Sequence, residues 1–179
     1  MGDINIPAGW NSVSLGEVSH KLVDGSHNPP KKKDSGLPML SAININGNYI
    51  SYEPCRFISD EEFEAEHRRT LVRAGDVLLT IVGAIGRVAV VPENHQPFTL
   101  QRSVAVIAPI QIHSRFLMYQ LESPKSAKYF KENSRGTAQK GVYLKTLSRL
   151  PLEIPSLNEQ HRIVAKIEEL FSELDRGIE

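Results

Sequence analysis

Residues 75–91 read GDVLLTIVGAIGRVAVV and contain two apolar runs separated by a glycine-bounded turn. The first run occupies residues 77–82 and the second residues 88–91. Gly83 and Gly86 allow a tight reversal between the runs, because glycine adopts positive φ angles without a steric penalty. The stretch therefore predicts two neighbouring strands joined by a short turn.

Further strand signals surround this pair. PMLSAININGNYISY, residues 38–52, places two extended runs around the dipeptide Asn46-Gly47. That dipeptide tolerates the positive φ angles of a two-residue hairpin turn. SVAVIAP, residues 103–109, supplies another buried strand. The N-terminal part of the chain is therefore predicted to be rich in β-structure.

Helical patterns occur between and after the strands. SDEEFEAEHRR, residues 59–69, is predicted as a short acidic helix capped by its first serine. HSRFLMYQLES (113–123) has apolar residues at helical spacing, and PKSAKYFKENS (124–134) restarts with proline at a favoured first-turn position. GTAQKGVYLKT (136–146) is predicted as a loop, and LPLEIP (150–155) as a short apolar segment.

The terminal stretch PSLNEQHRIVAKIEELFSELDRGIE, residues 155–179, has the start signals of a helix. Ser156 and Glu159 form an S-x-x-E capping box. The apolar steps of three and four suit either a core-facing helix or a coiled-coil seam. We therefore predict an α+β fold, with a β-rich domain at 1–154 and a projecting helix at 155–179.

Length and composition set the class of protein. A chain of 179 residues forms one domain, or one domain with an appendage. Its 40% hydrophobic and 23% charged residues are typical of soluble globular proteins, and no apolar run approaches membrane-spanning length. The first residues lack a secretory signal, and the single cysteine, Cys55, fits a reducing compartment. We expect a cytoplasmic location.

The formal net charge is zero, but the charges are segregated. Between Arg115 and Arg149, eight basic residues oppose two acidic ones, which gives this segment a charge of +6. Such a segment is typical of a polyanion-binding surface, with a solvated helical face as the alternative. From Ser156 to Glu179, six acidic residues oppose three basic ones, so we do not expect this stretch to contact the same anion.

Several catalytic motifs are incomplete in this chain. Gly136 and Gly141 have the spacing of a P-loop, but Val142 and Tyr143 stand where the lysine and hydroxyl residue are needed. No G-x-G-x-x-G loop, D/E-x-K pair or serine elbow occurs, and six histidines are scattered without metal-ligand spacing. The sequence therefore predicts neither a catalytic centre nor a bound metal or cofactor.

The stretch Asn28-Pro29-Pro30-Lys31 resembles the Asn-Pro-Pro-aromatic motif of adenine methyltransferases. In that motif an aromatic ring stacks on a flipped base, whereas Lys31 offers no stacking face. Without a cofactor loop as well, methyltransferase activity is not expected. The sequence favours a chain that directs chemistry over one that performs it.

Two polar loops favour nucleic-acid binding, although solvent-exposed turns would have similar composition. DGSHNPPKKKDSG (24–36) combines lysines for phosphates with small polar side chains for base edges, and GTAQKGVYLK (136–145) offers a glutamine suited to adenine. Arg87 follows a turn that is more often structural than ligand-binding, and Gln101-Arg102 is either a surface strand start or a base-reading pair. The candidate DNA-binding residues are Ser26, His27, Asn28, Lys31, Lys32, Lys33, Arg87, Gln101, Arg102, Gln139, Lys140, Tyr143 and Lys145.

Five segments in order resemble the target-recognition domain in the specificity subunit of type I restriction-modification enzymes. They are IPAGWNSVSLGEV, DGSHNPP, GLPMLSAININ, GDVLLTIVGAIGRVAVV and GTAQKGVYLKTLSRLPLEIPSLNEQHRIV. Two groups match family positions near the DNA-facing side, namely Asp24, Gly25, Ser26 and His27, and Gln139 with Lys140. The start of the family's helical region is matched by Pro155, Leu157, Glu159, Gln160, Ile163 and Val164.

In this family each recognition domain reads one half of a split DNA target, and the helical region spaces two domains and docks methyltransferase subunits. The resemblance therefore implies double-stranded DNA, methyltransferase subunits and, through the assembled complex, a restriction subunit as partners. It implies no cofactor and no catalysis. The alternative interpretation is an interaction scaffold that positions partner subunits without reading bases.

A usual specificity subunit has two recognition domains and two such helices, whereas this sequence has one of each. The chain is then either a fragment or a half-subunit that pairs with a copy of itself through an isologous helix contact. We predict that the apolar row of the terminal helix is exposed or paired between chains. Its members are Leu157, Ile163, Val164, Ile167, Leu170, Phe171, Leu174 and Ile178.

Overall fold

The computed structural model describes residues 7–137 and 139–177. Its strands are β1 (Asn11–Ser14), β2 (Ser19–Asp24), β3 (Leu37–Leu40), β4 (Ile45–Asn46), β5 (Tyr49–Ile50), β6 (Arg56–Ile58), β7 (Val77–Thr80), β8 (Val88–Val90), β9 (Thr99–Leu100), β10 (Val104–Pro109) and β11 (Pro151–Ile154). Its α-helices are α1 (Asp60–Thr70), α2 (Ser114–Glu122), α3 (Pro124–Asn133), α4 (Leu144–Leu147) and α5 (Leu157–Arg176). A short 3-10 helix spans Ala42–Asn44.

The central sheet has four antiparallel strands in the order β2-β10-β7-β8. Both of its faces are buried: Leu79 and Ile107 pack on one side, and Leu78 and Val106 on the other. Double burial explains why β7, β8 and β10 are nearly continuous apolar runs and do not alternate with polar residues. The predicted β7–β8 pair and the predicted strand at 103–109 are thus confirmed.

Smaller sheets and helices cover the two faces. Strands β6, β3 and β9 form a mixed sheet, and β1 pairs with β11. Helices α2 and α3 bury their apolar faces, including Phe116, Leu121 and Phe130, against one side of the central sheet. Ser59 caps α1 and Pro124 opens α3, as the sequence predicts. The predicted α+β class is confirmed.

Two local predictions differ from the structure. The first hairpin turn contains Gly47 and Asn48, with φ angles of 55° and 65°, whereas Asn46 stays in β4 and pairs with Tyr49. The turn is therefore shifted by one residue, because asparagine as well as glycine tolerates positive φ. The single-turn helix α4 begins inside the predicted loop at 136–146, and its N-cap residue makes no side-chain capping bond.

Helix α5 begins where the sequence predicts, with the Ser156 hydroxyl accepting a hydrogen bond from the Glu159 N–H. Its first half is attached to the domain. Gln160 accepts a bond from the His113 N–H at 2.8 Å and donates to the Pro155 carbonyl at 3.0 Å. The helix therefore leaves the domain only after its first turns.

The apolar row of α5 is divided between core and solvent. Val164 is only 5% exposed and belongs to the main core, and Ile163 packs against the same core, so the prediction of an exposed or intermolecular row is wrong for Val164. Leu170, Phe171 and Leu174 are exposed. Leu157 is also exposed and Ile167 is half-buried, whereas Ile178 lies outside the described residues.

Candidate nucleic-acid interface

Three loop segments meet at one end of the central sheet. β2 ends there at Asp24, and β10 starts there after Gln101-Arg102. β7 ends at the same end of the sheet, and the turn that follows leads to Arg87 and into β8. Neighbouring strands in this sheet are antiparallel, so the end of one strand lies beside the start of the next. Loops far apart in sequence are thereby placed side by side.

These loops enclose a surface depression that we call the basic groove. It consists of two adjoining parts, of about 220 and 480 Å³, which share His27, Val82, Arg102 and Gln139. Its polar lining includes His27, Arg87, Gln101, Arg102, Arg135 and Gln139. The sequence predicted five of these six residues from four separate stretches of the chain.

The charge of the basic groove favours an anion. Within residues 7–137 and 139–177, Arg87, Arg102 and Arg135 form no ion pair. Among the described residues that line the groove, Asp24 is the single acidic one, and it already forms an ion pair with Arg69. Unpaired guanidinium groups around a groove are suited to phosphate oxygens, which they contact with two parallel N–H bonds.

Asp24 organises the loop after β2. Its carboxylate, largely buried, accepts a bond from Arg69 Nη2 at 2.8 Å and one from His27 Nε2 at 2.7 Å. Arg69 Nε also donates to the Asp24 carbonyl at 3.1 Å. A carboxylate can only accept, so the His27 hydrogen is on Nε2 and Nδ1 remains as the second bonding atom of the ring. Helix α1 thus fixes the orientation of a groove histidine.

Ser26 lines the larger part of the groove but is hydrogen-bonded to neighbouring segments, and its role as a DNA contact stays a prediction. It is 5% exposed, and its hydroxyl donates to Glu66 Oε1 at 2.9 Å. Its N–H donates to the Leu100 carbonyl at 2.7 Å, and its carbonyl accepts from the Arg102 N–H at 2.9 Å. These bonds place His27 and Arg102 on the same rigid frame.

The segment after α3 completes the groove by docking on the β7–β8 turn. Arg135 and Gly141 exchange two backbone bonds of 2.9 and 2.8 Å. Val142 N–H donates to the Ile81 carbonyl at 2.9 Å, and Gly83 N–H donates to the Lys140 carbonyl at 3.0 Å. The exposed side chains of Gln139 and Tyr143 therefore reach the groove from a segment remote in sequence.

Other predicted contacts lie outside the groove lining. Lys33 forms an ion pair with Glu62 at 3.3 Å. Hydrogen bonds from Ser59 hold the pKa of Glu62 below its usual range, and Lys33 adds to the effect, so this lysine faces an ionised carboxylate. The remaining predicted residues outside the lining are exposed on the surface: Asn28, Lys31, Lys32, Lys140 and Lys145.

The basic segment from Arg115 to Arg149 does not act as one surface. Arg115 pairs with Glu168 of α5 at 2.6 Å, and Lys125 pairs with Glu153 of β11 at 2.5 Å. These acidic partners lie outside the segment, so its charge of +6 overstates its attraction for a polyanion. Arg135 is the member that lines the groove, and only its place in the fold distinguishes it from the others.

Arg135 and Ile43 are groove residues that the sequence did not predict as contacts. Arg135 was counted only as part of the basic segment, and Ile43 lay within a predicted strand region.

Among the described residues, no helix combines the length and apolar character needed to span a bilayer. The same part of the chain contains no group of three or more acidic, histidine or cysteine side chains placed to hold a metal ion.

Comparison with known proteins identifies the family. The family model of the type I restriction modification DNA specificity domain matches residues 7–179. The type I restriction enzyme EcoBI specificity subunit of Escherichia coli is 33% identical over 177 residues, which are 96% of this chain and 37% of that protein. The resemblance noted in the sequence is therefore confirmed.

Solved structures share the fold. The HsdS subunit from Thermoanaerobacter tengcongensis superposes with a TM-score of 0.70 at 22% identity, over 98% of this chain and 41% of that one. The S subunit from M. genitalium gives 0.62 at 15% identity, over 98% and 42%. The chain spans less than half the length of each of these relatives. It belongs to the family of type I restriction modification DNA specificity domains.

Proposed function

We propose that this chain is a non-catalytic DNA-recognition domain that reads one half of a bipartite target in double-stranded DNA. It directs methyltransferase and restriction subunits to that target in the cytoplasm. The observation that carries the proposal is the convergence of polar and cationic side chains from separate loops on the basic groove. Family membership supports the same role.

The groove residues divide by chemistry into two roles. Arg87, Arg102 and Arg135 supply phosphate contacts, which make binding depend strongly on salt. Gln101 and Gln139 carry amide groups that pair bidentately with adenine in the major groove. Each good base contact contributes about 1–3 kcal/mol of discrimination against the wrong base.

Helix α5 supplies the assembly surface in this proposal. Leu170, Phe171 and Leu174 form an exposed apolar row on its second half. A single helix gains most of its stability from packing, so this row is expected to pair with a second recognition domain or a second copy and to dock methyltransferase subunits.

The test exchanges His27 and Gln139 for alanine, singly and together, in the assembled enzyme, and sequences the methylated sites. We expect weaker or relaxed choice at one or two base pairs. His20→Ala is the matched control, because His20 is an exposed histidine in β2 at the end of the sheet away from the groove. Unchanged site choice and strength in both groove variants would remove these residues from the readout.

The exposed row of α5 also favours a second function, an interaction scaffold that does not read bases. The two functions differ in how DNA retention responds to salt. A DNA reader loses affinity steeply as salt rises, because counterions compete for the phosphates. No DNA retention, or retention that salt leaves unchanged, would favour the scaffold.

A further inference from the structure

Ile43 is an apolar side chain at a place where the groove lining is mostly polar. It is 64% exposed and lines the larger part of the basic groove, together with Arg87, Gln101 and Arg102. Single exposed apolar side chains are common on protein surfaces, so exposure alone assigns no role. The location of Ile43 among cationic and amide groups is what requires an explanation.

The backbone under Ile43 is fixed by buried polar bonds. Asn44 is 1% exposed; its Oδ1 accepts from the Ser41 N–H at 2.9 Å and its Nδ2 donates to the Pro54 carbonyl at 2.9 Å. The Ala42 N–H donates to Ser103 Oγ at 3.0 Å. The 3-10 helix therefore holds an exposed β-branched side chain, itself stiff at χ1, in one position.

The same frame carries the neighbouring base-reading candidate. The Gln101 N–H donates to the Leu40 carbonyl at 2.8 Å, three residues before Ile43. Ser103, which follows Arg102, accepts the hydrogen bond from Ala42 at the start of the 3-10 helix. Ile43, Gln101 and Arg102 are thus presented together, so an apolar group lies beside an amide and a cation in one groove.

We propose that Ile43 is a specificity-determining residue that packs against the C5 methyl group of a thymine in the major groove. The inference rests on the proposed function and names one feature of the target. The thymine methyl is the apolar group that base pairs present in the major groove, and apolar side chains contact it. The side chain of Ile43 cannot donate a hydrogen bond to a phosphate, whereas the guanidinium groups of the arginines beside it can.

The test removes the methyl group from the DNA as well as the side chain from the protein. Duplexes that bind the full 179-residue chain are selected from a random-sequence library, and each thymine of the selected duplex is replaced in turn by deoxyuridine. At one position, we expect the unaltered protein to bind the deoxyuridine duplex about fourfold more weakly than the thymine duplex. This ratio corresponds to the free energy of burying one methyl-sized group. Ile43→Ala should bind the thymine and deoxyuridine duplexes equally.

Two further variants separate this contact from general effects. Ile43→Val retains a branched apolar side chain and should keep the preference for thymine. Ile110→Ala removes an exposed isoleucine that follows β10 at the opposite end of the central sheet, and it should respond to deoxyuridine as the unaltered protein does. Because Ile43 is exposed, its alanine variant should melt at the same temperature as the parent chain.

Distinct results would overturn the inference and the proposed function. The inference fails if no thymine replacement weakens binding, if the selected duplexes share no thymine, or if Ile43→Ala still distinguishes thymine from deoxyuridine. In each of these cases sequence-selective binding by the domain would stand. A selection that enriches no sequence would instead overturn the proposed function, and the inference with it.

Discussion

Gly25→Ala should destabilise the fold more than any exchange of an exposed groove side chain. A Cβ atom at Gly25 would lie 2.2 Å from the Leu100 carbonyl oxygen and 2.5 Å from that of Gln101. Non-bonded carbon and oxygen atoms approach to about 3.3 Å, so the backbone would have to move by about 1 Å. Both oxygens belong to backbone, which cannot rotate away as a flexible side chain can.

The surrounding hydrogen bonds set the magnitude. Gly25 N–H donates to the Val104 carbonyl at 3.2 Å, and Ser26 N–H donates to Leu100 at 2.7 Å, so a displacement weakens several bonds at once. We expect a loss of about 3 kcal/mol in the free energy of unfolding, the upper end of the usual cost of overpacking. For a chain of this size, that loss lowers the melting temperature by about 6–12 °C.

Urea denaturation followed by circular dichroism measures this loss, and DNA retention at a temperature where the variant is folded measures its effect on the groove. Gly177→Ala is the control: Gly177 has φ −84° and its nearest atoms lie at 3.6 Å, so alanine fits without strain. A change below about 1 kcal/mol for Gly25→Ala, the lower limit for overpacking, would refute the close approach of these backbones.

Three further predictions concern the helix joint and the groove. Gln160→Ala should cost about 2–3 kcal/mol of stability in urea denaturation, because two buried hydrogen bonds are lost. Burial, and next the neighbouring His161, lower the pKa of His113 below its ordinary value of 6.5. As the pH falls, His113 is therefore protonated in the unfolded chain before it is protonated in the folded one. The free energy of unfolding should decrease as the pH drops below 6.5. His113→Asn should lessen this fall in melts at several pH values. Arg102→Ala should reduce the slope of log affinity against log salt by about one in DNA titrations.

Each of these variants has a control at a comparable position. Asn158→Ala removes an exposed amide from the first turn of α5 and should change stability by less than about 0.5 kcal/mol. His20→Asn removes an exposed histidine and should leave the acid dependence intact. Lys128→Ala removes a cation outside the groove and should keep the salt slope. An equal response of variant and control would contradict the corresponding prediction.

The regular elements could be predicted from sequence because their signals are local. The doubly buried β7 and β10 appear as continuous apolar runs, and Ser59 and Ser156 mark two helix starts by their capping side chains. The misplaced turn and the missed α4 have the same cause: their signals are too short to outweigh tertiary contacts. The division of the α5 row depends on which side chains α2 covers, which periodicity alone does not give.

The groove was predictable in composition but not in arrangement. Sequence motifs pointed to His27, Arg102 and Gln139 separately, and the resemblance implied a shared DNA-facing side for His27 and Gln139 but not for Arg102. The polar loop sequence around Ser26 suggests a surface residue. In the structure Ser26 is buried, and its hydroxyl donates a hydrogen bond to Glu66, 40 positions later in the chain. Lys33 likewise forms an ion pair with Glu62 of α1, which its local sequence does not indicate. Long-range pairing decides such cases, and a single sequence does not contain it.

The structure separates residues that maintain the groove from residues that would read DNA. Gly25 and Ser26 are buried, and their bonds hold the loops together. Arg87, Arg102 and Gln139 are exposed, and their exchange should alter the free energy of unfolding by less than about 0.5 kcal/mol. Recognition can therefore change at little cost to the fold. Alanine variants of these three that lose about 2 kcal/mol or more of stability, as buried groups do, would contradict this separation.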